Sequence, residues 1–308
     1  MVTIDLTTPP PPAASFLDGL PRRLALTLPE LRHVASLAGD APLPFDLVEA
    51  SGNASLEGRL GQSRGSAEDT AYAAALASLH DADDSLRRRG LITDDGIDPG
   101  LTGAIGLLAT PTLALDLDVA APGTQVKAWH RQAGNAVATL ATSDGLVFEL
   151  AWFSSDQWPG ELARVADIPD DVKLSESSVP EELDLPFHLV DATGEALRAG
   201  RSDLVPVLMS QHGEGIVDGH AEPIDDSVAA TAVAAIHTEG RGRLRVLAAH
   251  VSDEATTDVG LVSWVLLADG WHSLTPHQVD DESRLSVRRT QPADLASELA
   301  PVLAQVTA

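Results

Sequence analysis

The chain has 308 residues, 44% of them apolar, and no cysteine. It is long enough to bury a sizeable core as one large domain or two small ones, and it has no disulfide, thiolate metal centre or thiol nucleophile. Twenty Lys and Arg against 46 Asp and Glu leave a net charge of −26, which argues against a nucleic-acid binder or a protein held on an anionic membrane surface. No apolar run reaches the length of about 18 residues that a spanning helix needs. Residues 1–16 carry neither the basic nor the apolar region of a signal peptide. The cytoplasm is therefore the expected compartment. The proline run from Pro9 to Pro12 makes the first 25 residues an expected extended tail.

An internal echo follows. Pro44 to Ala54 returns as Pro186 to Ala196, with seven of eleven positions identical at an offset of 142. After the first copy, an apolar stripe at Ala73, Leu76, Leu79 and Leu86 predicts a helix from Ser66 to Arg89, ended by Gly90. A short helix is expected over 100–109, between Pro99 and Pro111. The period then changes to two. Strands are expected over 113–119, 126–131, 136–142 and 146–153, with turns at Pro122-Gly123, Gly134-Asn135 and Asp144-Gly145. Pro159 opens another helix. Residues 167–184, rich in Asp, Glu, Ser and Pro, read as a linker.

The second half repeats the order. Residues 196–209 read as helix divided at Pro206, and 231–237, 244–251, 260–267 and 285–289 read as strands. The stretch 228–236 is alanine-rich enough to be helical instead. Pro292 opens a last helix to Val306. Helices grouped around runs of consecutive strands imply an α+β architecture with an antiparallel sheet. The expected organisation is a tail (1–25) and two similar halves (26–178 and 179–308) sharing one sheet.

Chemistry is sparse. Gly61-Gln62-Ser63-Arg64-Gly65 matches the spacing of a nucleophile elbow, but the polar, glycine-broken stretch before it is no buried strand. His212, Glu214, Asp218 and His220, with Glu222 nearby, form the densest set of potential metal ligands. Their spacing matches no specific metal motif, and a flexible acidic loop describes them better. His80 to Asp84 reads as the solvated face of the long helix. Glu239 to Arg243 lacks both the helix and the Lys-Ser/Thr of a phosphate loop and reads as a hairpin turn. No cofactor and no catalytic residue is expected. Trp129, Trp152, Trp158, Trp264 and Trp271 all fall in or beside strand-rich blocks; core packing is the simple reading, with one or two exposed at a binding rim as the alternative.

The order of short motifs resembles the EspG family of type VII (ESX) secretion-associated proteins. The resemblance is carried by Leu28-Pro29-Glu30-Leu31 and Leu43-Pro44-Phe45-Asp46-Leu47. It continues in Leu86-Arg87-Arg88-Arg89-Gly90-Leu91, Gly96-Ile97-Asp98-Pro99-Gly100-Leu101 and Leu107 to Pro111, and ends in Leu285 to Arg289 with Pro292 and Leu295. It spans about residues 26–306 and is strongest from Leu86 to Pro111. Between Asp253 and Gly260 the chain lacks the family's aromatic residue. The resemblance implies a quasi-twofold fold with a central antiparallel sheet and flanking helical bundles. It also implies a cytosolic, non-enzymatic chaperone that binds a helical secretion substrate, a PE–PPE pair or a WXG100-like protein, and keeps it soluble. A non-catalytic scaffold of the secretion system and a metal-dependent hydrolase are the alternatives. Apolar spacing places the expected partner groove at Leu204, Val207, Leu208 and Met209, with Trp264 nearby.

Overall fold

The computed structural model describes residues 17, 21–45, 81–251 and 256–307. Strand β1 (Arg22–Thr27) runs directly into helix α1 (Leu28–Leu37). A reciprocal capping box starts that helix: Thr27 Oγ1 accepts from Glu30 N, and the Glu30 carboxylate accepts from Thr27 N. Helix α2 (Ala82–Arg88) is capped by Asp81, which accepts from Asp84 N. Gly90, at φ +69, turns the chain out of it. The short hairpin β2 (Ile92–Thr93) and β3 (Gly96–Ile97) leads to α3 (Pro99–Ala109). The part of the expected long helix over 66–80, and the Gly61–Gly65 motif, lie outside the described residues.

Four strands follow as an antiparallel meander: β4 (Leu113–Ala121), β5 (Thr124–Ala133), β6 (Ala136–Thr142) and β7 (Val147–Ser154). Helix α4 (Trp158–Ala166) closes this half. The second half holds β8 (Glu182–Pro186), α5 (Phe187–Arg198), α6 (Val205–His212), β9 (Val217–Asp218) and α7 (Asp226–Thr238). A second meander follows, β10 (Gly242–Val251), β11 (Thr256–Leu267), β12 (Gly270–Val279) and β13 (Glu282–Arg289), and then α8 (Leu295–Val306).

The two meanders join along β4 and β10 into one eleven-stranded sheet of order β1-β7-β6-β5-β4-β10-β11-β12-β13-β8-β9. Every named pairing in it is antiparallel. The fold is α+β, as the pattern of elements predicts.

Alternation of side chains assigns the two faces. On one face, Leu115, Leu117, Val246, Val262 and Trp264 form a core under α4 and α8. On the other face there are two separate cores. Leu26, Trp129, Leu140, Leu150 and Trp152 pack under α1–α3, while Leu183, Leu185, Leu267, Leu285 and Val287 pack under α5 and α7.

Several expectations are corrected. Residues 231–237 belong to α7, not to a strand: the run of alanines favours helix and Asp225 caps it. Glu239 to Arg243 therefore joins a helix to a strand and is no hairpin turn. Strand β12 has no counterpart among the expected strands, because Pro276 and its polar residues hide the alternation. β1 begins at Arg22, inside the expected tail.

Of the first copy of the eleven-residue echo only Pro44 and Phe45 are described, and both are helical; in the second copy Pro186 ends β8 and Phe187 opens α5. Phe45 packs against Phe148 and Trp129, with ring centroids 5.3 and 5.8 Å apart, while Phe187 is exposed.

Candidate functional site

Among the described residues, no helix covers the middle of the sheet on its second face. Between the α1–α3 bundle and the α5–α7 bundle, the front of β4, β10 and β11 forms the floor of a trough. Along β10, Leu244, Val246 and Ala248 are buried under α8, so Arg243, Arg245, Leu247 and Ala249 point into the trough. On β11, Val262 and Trp264 are buried, so Val259, Leu261 and Ser263 point forward.

Register brings the apolar members together: Leu247 stands opposite Leu261, and Ala249 opposite Val259. Leu247 is 45% exposed, Leu261 56% and Val259 62%. Three large aliphatic side chains left in water on adjacent strands form a patch rather than scattered surface residues.

Behind the patch, Gly260 lets α8 press onto the strand. A Cβ there would run into Val302 Cγ1. β11 is thus backed by α8 on one side, and no described helix covers its other side.

Polar groups on the β4 side of the floor are ordered. Asp116 stands opposite Leu247 and Asp118 opposite Arg245. The buried Arg131 reaches Asp116 at 2.7 Å, and its guanidinium also donates to the carbonyls of Leu115 and His130. Asp118 meets Arg243 at 3.4 Å and accepts from Gln125 at 3.3 Å. Behind this wall, on the α4 side, His130 Nδ1 accepts from Trp158 Nε1 at 2.9 Å. Burial, with Arg164 and Arg131 adding repulsion, pushes the His130 pKa down to about 3. His130 is therefore a neutral packing residue and no proton donor at neutral pH.

The residues expected to line a groove are placed differently. Leu204, Leu208 and Met209 are half-buried and Val207 is 47% exposed, all in or just before α6. That helix lies on α5 and α7, and Leu208 and Met209 pack against the core beneath. Trp264 does not join them. It is 1% exposed, on the opposite face of the sheet, where its Nε1 donates to Glu298 on α8 at 2.6 Å. The other four tryptophans are also buried, so none forms an exposed rim.

Of the possible metal ligands, Asp218 serves the loop between α6 and α7. Asp218 Oδ1 accepts from the backbone N of His220 and of Glu222, which holds its carboxyl below the usual range. His212 meets His188 edge to face at 4.8 Å. Among the described residues, no group of three or more His, Asp or Glu is placed to hold a metal ion. A cleft of about 510 Å³ beside this loop is lined by Asp184, Asp218, His277 and Arg284. Arg284 is itself committed, donating to Asp184 at 2.5 Å and to the carbonyl of Gly215 at 2.7 Å. The arrangement ties the loop to the sheet.

No family model matches the chain, and no curated protein matches it in sequence. A solved structure does: the Mycobacterium tuberculosis type VII secretion system chaperone EspG5, in complex with a PE25–PPE41 dimer. The match covers 92% of this chain and 95% of that one, with a TM-score of 0.59 and 11% sequence identity. The chain has the EspG5 fold. The sequence resemblance to the EspG family thus holds at the level of the fold, over nearly the full length of both chains. EspG5 is a chaperone solved in complex with a PE25–PPE41 dimer.

Proposed function

We propose that the protein is a non-catalytic chaperone of a type VII secretion pathway. On this reading it works in the cytoplasm, where it binds a PE–PPE-like helical pair and keeps it soluble before export. The observation that carries this reading is the shared fold over 92% of the chain with a chaperone solved around a PE–PPE dimer. The exposed patch of Leu247, Val259 and Leu261 supports it, because a chaperone for an apolar helical tip needs an apolar floor on a soluble body.

Trough and partner then act on each other in the same way, since each covers apolar surface that the other leaves in water. The α6 surface at Leu204, Val207, Leu208 and Met209 is a second contact on this reading, at the side of the trough. Both halves carry a strand, a four-stranded meander and a closing helix. We read them as a quasi-twofold repeat, 26–178 and 179–308, forming one domain.

Co-expression of the tagged chain with PE–PPE-type pairs from its own genome tests the proposal. A stoichiometric complex that is lost in Leu247→Asp/Leu261→Asp, with unchanged thermal melting, is the expected result. No stable complex with any such pair contradicts the chaperone reading and favours a scaffold without a client.

A further inference from the structure

The trough carries a charge pattern that an apolar floor does not require. Its side chains stand in rows across four strands. Lys127, Asp118, Arg245 and Ser263 form one row on β5, β4, β10 and β11. Trp129, Asp116, Leu247 and Leu261 form the next. Each carboxylate already has its own arginine, Arg131 for Asp116 and Arg243 for Asp118. Lys127 and Arg245 are left with no carboxylate partner among the described residues. Two cations without a carboxylate partner among the described residues thus stand one row from the Leu247–Leu261 pair, in a chain whose net charge is −26. Lys127 is one of only two lysines in the whole sequence.

Solubility does not explain them, since acidic residues supply it over the rest of the surface. Complementarity does: charges at the rim of an apolar contact select and orient a partner more than they hold it. At physiological salt the screening length is about 8 Å, so distant carboxylates are muted at contact and the two local cations dominate.

We infer that the trough receives a helical tip whose apolar side chains are flanked by carboxylates, and that Lys127 and Arg245 pair with those carboxylates. The helical form of the partner rests on the chaperone reading above; its charge rests on the trough alone.

The test uses the full chain and two synthetic helical-hairpin peptides with the same leucine-rich turn, one flanked by glutamates and one by lysines. Binding is read by fluorescence anisotropy at physiological salt. The glutamate peptide is expected to bind about tenfold more tightly, as two exposed ion pairs allow. The preference is expected to vanish in Lys127→Glu/Arg245→Glu, whose melting stays unchanged. The overall negative charge favours the lysine peptide, so the expected sign is not the trivial one.

Equal binding, a preference for the lysine peptide, a preference that survives the double reversal, or no binding of either peptide overturns the inference. The chaperone reading fails separately. A native pair that binds wild type and the double reversal equally removes the charge inference and leaves the chaperone reading standing. A glutamate preference without any recoverable native pair does the reverse.

Discussion

His130 shows how far a single buried side chain can be pushed, and it makes the fold sensitive to acid. Its pKa is about 3 in the folded protein, against about 6.5 in an unfolded chain. Between those values the unfolded chain takes up the proton and the folded chain does not, so stability falls as pH falls. The expected slope is up to about 1.4 kcal/mol per pH unit below pH 6.5. Urea unfolding at pH 7, 6 and 5 measures it. His130→Gln has no titrating group there and should flatten the curve; an unchanged slope would assign the acid sensitivity elsewhere. None of this is legible in the sequence. His130 is one of ten histidines, and only the pairing of β5 between β4 and β6 puts it under Trp158. The same holds for Trp264: its place in a strand is expected from the sequence, but the face it points to depends on register. Lys127 and Arg245 are read at this scale too, as partners waiting for carboxylates. Their double reversal should change binding without changing folding.

Among the elements, the first meander is readable because strict alternation and its turn residues agree. β4 alternates buried and half-buried side chains along its whole length, and Gly123, Gly134 and Gly145 all take positive φ at the connections. β12 is hidden because Pro276 and the polar residues beside it break the signal. Short β1 and β8 are hidden by neighbouring charges. The α7 stretch mimics a strand because β-branched residues at Thr231, Val233 and Ile236 stand between its alanines. Strand β11 carries the element-scale prediction. Gly260→Ala forces the strand away from Val302 on α8 and should cost about 1–3 kcal/mol by overpacking. A lowered urea midpoint checks this, and Val302→Ala in the same chain should restore part of the loss by making room. No loss of stability would mean that α8 does not press on β11 as the packing indicates.

For the whole molecule, the decisive feature is a sheet built from both halves, with its middle left uncovered on one face by the described helices. α4 and α8 cover the other face across the β4–β10 seam, and on the trough face no described helix crosses that seam. The α+β class follows from the grouping of helices and strands, and the resemblance to EspG follows from motif order. The trough follows from neither. It needs β4 and β10, more than a hundred residues apart in sequence, to lie side by side. The local hint is an apolar residue where a polar one is expected, at Leu247 among the outward positions of β10 and at Val259 and Leu261 on β11. The most direct measurement is hydrogen–deuterium exchange of the full chain, alone and bound to a co-purified helical pair. The account predicts new protection along β10 and β11, centred on Leu247 and Leu261, with α4 and α8 unchanged. Protection confined to α4 and α8, with β10 and β11 exchanging as in the free chain, would contradict it.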